Sequence, residues 1–270
     1  MKNITSTKQK ICVVGDLHTK YHILEKVKKI SKNYDKVIFL GDYVDDWNTV
    51  SEASYNLLDS LISFKKENPD KVVLLLGNHD LSEWFGRPFA CSGYNMNTST
   101  LVAPLYREHE HLFNIAYAPN SHIIASHAGF TTLWTETTLN KKYRSATSLA
   151  ADINRAFHNR FNYESPHQQK YESIFYHLAD VGYARGGMRE PSPLWADTTE
   201  LIADWLPFLQ IVGHTPHRTI TFYNRYNREV YFCDTFSTYM DGTDFGDRTL
   251  LTLDGTNFNK ITLDGKKFSW

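Results

Sequence analysis

The chain has little cysteine. Cys12, Cys91 and Cys233 are its only three thiols, they lie far apart, and no CxxC pair occurs. An odd number of widely spaced thiols excludes a disulfide framework and fits a reducing, cytoplasmic setting. Long hydrophobic runs are missing too. No apolar stretch approaches the roughly 18 residues that a membrane helix needs, and the opening MKNITSTKQKICVVGD carries too short an apolar run for a secretory leader. Neither charge sign dominates: 29 Lys and Arg face 30 Asp and Glu, a formal net charge of -1, with no block of like charge. That balance argues against a surface built for membranes or long nucleic acid. It leaves nucleotide substrates open, because a metal could neutralise them.

What is present is globular. A hydrophobic content of 41% with 14% aromatics excludes a disordered chain, and 270 residues suffice for one large domain. Short apolar runs rich in β-branched residues recur, and each stops at a polar cluster. KICVV (10–14) ends at GDLH, KVIFL (36–40) at GDYVDD and KVVLLL (71–76) at GNHD; SHIIA (121–125) ends at SHAG, FLQIV (208–212) at GHTP and REVYF (228–232) at CDT. These runs have the length and composition of buried strands. Helical periodicity separates the early ones, first through Ile23, Val27 and Ile30, then through Leu57, Leu58, Leu61 and Ile62. The alternation predicts an α/β fold with mostly parallel strands, whose functional residues gather at the strands' carboxyl ends. Gly15, Gly41, Gly77 and Gly213 each follow a strand beside a candidate ligand, where a missing Cβ lets backbone approach an ion. Residues 131–190 are polar and helix-patterned, and read as an insertion or cap over the site within a single domain of residues 1–270. The tail, 248–270, alternates around two Asp-Gly turns and reads as hairpins closing a second sheet.

The polar clusters carry the chemistry. Asp16, His18, Asp42, Asn78, His127 and His214 offer carboxylate, imidazole and amide oxygen but no thiolate, a set suited to Mn, Fe, Zn or Ni. Two ions about 3.5–4 Å apart would need a bridging carboxylate, and one of the aspartates could serve. Turns use Gly, Asn and Asp but have no need of histidine. The recurrence of His18, His79, His127 and His214 after strands therefore separates a metal centre from ordinary turn chemistry. His217, three residues after His214, stays open.

GDLH, GDYVDD, GNHD, SHAG and GHTP, in this order, resemble the calcineurin-like metallophosphoesterase superfamily. Within it they are most similar to the phosphoprotein phosphatase branch and its relatives that cleave diadenosine tetraphosphate. PLWADT (193–198) and CDT (233–235) are similar to segments of the same branch. The resemblance implies a four-layer α/β/β/α sandwich with a bimetal site at the sheet edge. It implies Asp16 and His18 on one ion, Asp42 bridging, and Asn78, His127 and His214 on the other. It implies His79 as general acid, oriented by Asp45, with an activated water attacking phosphorus in line. The expected cofactors are two divalent metal ions, Mn first, with Fe, Zn, Ni or Mg as alternatives. The expected partner is a phosphorylated small molecule, a nucleotide or dinucleoside polyphosphate, or a phosphoprotein.

The sequence also departs from that pattern. The resembling enzymes read Gly-Asp-Tyr-Val-Asp-Arg-Gly, whereas GDYVDDW puts Asp46 in place of the phosphate-clamping arginine and Trp47 in place of glycine. An aspartate there would repel the substrate unless it points away or another cation takes over. Arg185 is the first candidate for that cation, followed by Arg189 and Arg87. Trp47, Trp84, Phe85 and Tyr94 follow the motifs, and burial is favoured for them over stacking on a substrate. The alternative function is a non-catalytic binding or scaffold module on the same fold, against which stand the complete ligand set and the His79–Asp45 pair. A di-iron redox protein would want more carboxylates.

Overall fold

The computed structural model describes residues 7–46, 49–204, 206–225, 228–239 and 241–268. Strands β1 (Thr7–Val14), β2 (Lys36–Phe39), β3 (Val72–Leu75) and β4 (Phe113–Asn114) pair in parallel. Between them run helices α1 (Tyr21–Ile30), α2 (Ser51–Glu67), α3 (Asn78–Phe85) and α4 (Met96–Glu108). A second sheet holds β5 (Ala116–Asn120), β6 (Ile123–Ser126), β7 (Leu209–Val212), β8 (Thr221–Arg225) and β9 (Arg228–Phe232), ordered β5-β6-β7-β9-β8. Helices α5 (Thr132–Thr138), α6 (Ala146–His158), α7 (Gln168–Tyr176) and α8 (Thr198–Ala203) lie between β6 and β7 in the chain.

The pleat explains why the strands read as continuous apolar runs. Cys12, Val14, Val37, Phe39, Val72 and Leu74 face α1, α2 and α4 in one core. Their neighbours Ile11, Val13, Ile38, Leu40, Val73 and Leu75 point the other way and meet Ile123, Ala125, Leu209, Ile211 and Tyr231 of the second sheet. Both faces are dry, so both sets of alternating residues are apolar. On the far side, Val212, Val230 and Phe232 pack on Leu201 of α8, while α6 lies on β5 and β6. The layers are therefore helix, sheet, sheet, helix. Residues 131–190 join this framework: Phe157 of α6 and Phe175 of α7 pack with Trp84 and Phe85 of α3.

One expectation is corrected. The tail strands β10 (Leu250–Gly255), β11 (Asn257–Ile261) and β12 (Lys267–Phe268) extend the first sheet, not the second, giving β12-β11-β10-β1-β2-β3-β4. β10 runs antiparallel to β1, with Leu253 opposite Ile11 and Leu251 opposite Val13, so its leucines enter the layer between the sheets. Among the described residues no helix is long and apolar enough to cross a membrane.

Candidate metal centre

β1, β2, β3, β6 and β7 end at one edge of the sandwich, and the next few residues of each turn inward. His127 Nε2 lies 2.9 Å from Asn78 Oδ1, 3.1 Å from His214 Nδ1 and 3.4 Å from Asp42 Oδ2. Asp42 Oδ2 is also 3.7 Å from His18 Nε2. One donor atom each from Asp42, His127 and His214 falls within 4.8 Å of the others, and the same is true of Asp16, His18 and Asp42. Asp42 belongs to both groups.

The backbone is bent to achieve this. His18, Asp42, Asp45 and His214 adopt φ of 39°, 51°, 63° and 64°, a left-handed region that residues other than glycine seldom occupy. Buried Asp80 holds the turn. Its Oδ2 accepts the Asp42 and Gly77 N–H groups at 2.8 Å each, and its Oδ1 accepts the Tyr43 N–H at 3.0 Å and the Tyr106 hydroxyl at 2.6 Å. The N–H of His79, in the first turn of α3, donates to Asp42 Oδ1 at 3.0 Å, and the His214 N–H donates to Asp16 Oδ2 at 2.9 Å. Two glycines make room: a Cβ at Gly77 would run into the Asp42 carboxylate, and one at Gly213 into that of Asp16.

The donor set suits cations. Nδ1 of His18 is 2.7 Å from the Asp45 carbonyl, and Nδ1 of His127 is 3.0 Å from that of Leu40. A carbonyl only accepts, so each Nδ1 carries the proton and each Nε2 turns a lone pair inward. Burial pushes the pKa of His18 and of His127 down to about 3, and that of His214 well below its ordinary value. Burial likewise raises Asp42 to about 7, and together with the charges of Asp234 and Asp42 it raises Asp16 well above the carboxylate range. Among the described residues the buried Nε2 of His214 has no hydrogen-bond partner. Crowded, dry carboxylates beside neutral imidazoles are costly alone and are relieved by divalent cations.

Beside this cluster stands a dyad. His79 Nδ1 is 2.8 Å from Asp45 Oδ2, and the His18 and His79 rings meet edge to face with centroids 5.1 Å apart. Burial alone would lower the His79 pKa, but the Asp42 carboxylate and the Asp45 hydrogen bond outweigh it and hold the imidazolium well above its usual range. Cys91 is a further side-chain hydrogen-bond partner of the His79 ring.

A family model described as calcineurin-like phosphoesterase matches residues 9–218. The chain belongs to the calcineurin-like phosphoesterase family. It is 38% identical over 80 residues to the serine/threonine-protein phosphatase PP2A-like PPG1 of Candida albicans. It is 35% identical over 82 residues to the serine/threonine-protein phosphatase 4 catalytic subunit of Eremothecium gossypii. Each match takes in 29% of this chain, but only 18% and 24% of those relatives. Among solved structures, the cold-active protein-tyrosine phosphatase of a psychrophilic Shewanella species superposes with a TM-score of 0.61 at 17% identity, over 96% of this chain and 80% of that one. A likeness at that identity is one of fold.

In this calcineurin-like phosphoesterase the cluster opens into a cleft of about 320 Å³. Arg185 lies on its rim, with Nε 3.1 Å from Asp197 Oδ2 and an N–H donated to Thr215 Oγ1 at 2.8 Å. Arg185 is also the one residue of the 131–190 segment among those lining the cleft. Arg189 is not among the residues that line the cleft. Its N–H bonds back to the Val181 carbonyl, and its exposed guanidinium pairs with Asp180 at 2.9 Å. Arg87 does not line the cleft either. His217 is spent on structure, stacked on Phe232 and 3.1 Å from Thr198 Oγ1. Trp84 is buried against Tyr106 and Phe85 is partly buried in the same core, whereas Tyr94 is exposed, against the burial expected for it. Trp47 lies outside the described residues.

Two charged residues of the cleft, Asp234 and Lys20, were not assigned from sequence. Asp234, in CDT, is buried beside Asp16, and burial pushes its pKa up to about 6. Its signal was available, since CDT also ends an apolar strand, but aspartate without histidine reads as a turn. Lys20 gives no such signal, being an ordinary lysine at the start of an amphipathic helix.

Proposed function

We propose that the chain is a metal-dependent phosphoric ester hydrolase, with two divalent cations of which Mn is the first choice. The observation that carries this reading is the convergence of two donor groups on one shared carboxylate, Asp42. Asp16 and His18 would hold one ion, and Asn78, His127 and His214 the other. When bound, such ions supply an activated water and neutralise charge on phosphoryl oxygens. His79 would pass its Nε2 proton to the leaving oxygen. Asp45 would hold the ring in place and favour its charged form, and Arg185 would meet a phosphoryl oxygen at the rim. The geometry supports catalysis over a non-catalytic scaffold, because the proton donor and its orienting carboxylate stand beside the ligand set at hydrogen-bond distance. The names of the curated relatives favour a phosphoprotein substrate, with a nucleotide or dinucleoside polyphosphate second. The three free cysteines suit a cytoplasmic enzyme, and residues 131–190 are proposed as part of the single domain.

The test is hydrolysis by metal-stripped protein reloaded with Mn, on p-nitrophenyl phosphate, bis-p-nitrophenyl phosphate, diadenosine tetraphosphate and a phosphopeptide. Turnover should require Mn. His79→Asn should keep both metals and lose about 10²–10⁴-fold in kcat, whereas Asp42→Asn should lose metal as well. Equal metal loss in both variants, or wild-type turnover in His79→Asn, would overturn the assigned roles.

A further inference from the structure

Asp46 places a negative charge where an anionic substrate has to approach, and the fold answers it with Lys20. This residue is only 8% exposed although it occupies the N-cap of α1. Its Nζ lies 2.9 Å from Asp46 Oδ2 and 3.4 Å from the His18 carbonyl oxygen. Helix formation gives no reason for a lysine there. It makes no capping hydrogen bond, and it sits at the positive end of the helix dipole, where a cation is disfavoured. Burying an ammonium and freezing its long stem are further costs. The cleft gives the reason instead, because Lys20 lines it together with His18, Asp42, His79 and Asp234. An ammonium has three N–H donors; Asp46 and the His18 carbonyl engage two. Among the described residues the other lysine or arginine on the cleft is Arg185, which bonds Asp197 and Thr215 at the rim.

We propose that Lys20, held in position by Asp46, is a second cation, beside Arg185 at the rim, that contacts the phosphoryl group of the substrate. The proposal rests on the phosphoesterase reading above. Asp46 then does not repel the substrate, because its charge is matched at 2.9 Å and spent on fixing Nζ. A pair from two loops does the work of one cation, and it presents a point charge instead of the bidentate fork of an arginine.

The experiment measures inorganic phosphate binding to Mn-loaded protein by calorimetry, with metal content and melting temperature determined for every variant, and kcat/KM on p-nitrophenyl phosphate alongside. Lys20→Met should keep its metals, weaken phosphate roughly 10–100-fold and lower kcat/KM by a similar factor. Asp46→Asn keeps the lysine and should bind phosphate at least as tightly as wild type. Asp46→Arg added to Lys20→Met returns a cation to the same spot and should recover most of the lost affinity, which a merely structural lysine would not allow. If Lys20→Met folds poorly, Lys20→Gln and Lys20→Arg make the same comparison, the first weakened and the second near wild type. Wild-type phosphate affinity in the neutral variants with metals in place overturns the proposal, as does a wild-type protein that binds no phosphate. Failure of the hydrolase reading looks different: no turnover by wild type, with phosphate still bound and still weakened by Lys20→Met.

Discussion

Glu83→Gln should change how stability depends on pH, by an amount the structure sets. Glu83 lies in α3, is fully buried, and its Oε1 accepts the Asn95 N–H at 2.8 Å. Its Oε2 is buried with no hydrogen-bond partner among the described residues. Burial raises its pKa from 4.5 to about 7, Asn95 opposing and the nearby Asp45 adding to the rise. A raised pKa means that the native state keeps a proton which the unfolded state has released. The contribution of Glu83 is therefore fully present below pH 4.5 and is lost as pH climbs through about 7. At about 1.4 kcal/mol per pH unit, that window amounts to about 3 kcal/mol. Glutamine does not titrate, so the stability difference, variant minus wild type, should climb by about 3 kcal/mol between pH 4.5 and 7 and stay level above. The amide brings its own cost, since its NH₂ enters the place of the unpartnered oxygen. That penalty, about 1–3 kcal/mol, is constant with pH and shifts the curve without changing its shape. Urea unfolding of both proteins, metal-free, at five pH values from 4.5 to 8.5 measures the difference. A flat difference, or one that falls with pH, would refute the reasoning.

Asp80→Ala should cost at least about 3 kcal/mol, because it strands three buried backbone N–H groups and the Tyr106 hydroxyl. It should also weaken Mn binding, since it frees the left-handed turn at Asp42; calorimetric Mn titration of a folded variant with wild-type affinity would contradict this. The two arginines should part company in steady-state kinetics. Arg185→Ala should lower kcat/KM about tenfold, while Arg189→Ala, which removes only an exposed guanidinium from Asp180 away from the cleft, should stay within about twofold of wild type.

Much of the fold was legible because burial on both faces writes a strand as an unbroken apolar run. That is how β1, β2, β3, β6, β7 and β9 were located, to within one or two residues at most ends. The helical spacing of Ile23, Val27 and Ile30 marked α1, and all three are buried. The tail shows the limit. Alternation and Asp-Gly turns announce strands, but an amphipathic strand satisfies any open edge with the same pattern. Only the packed structure decides that β10 closes the edge of β1. Arg185 and Arg189 show it again, for a local chain reversal sends one to the cleft and the other to Asp180.

By itself the sequence determined the family, the layer order and the set of donors that the strand ends could offer. Histidine after a buried strand has no use as a turn residue, and composition alone reveals that misfit. The tertiary structure decided which carbonyls orient His18 and His127, that Asp80 pins the strained turn at Asp42, and that Lys20 meets Asp46. Each of those contacts joins residues more than 20 positions apart. A hydrogen bond or an ion pair is set by distance and direction in space, and residue order carries neither until the chain has packed.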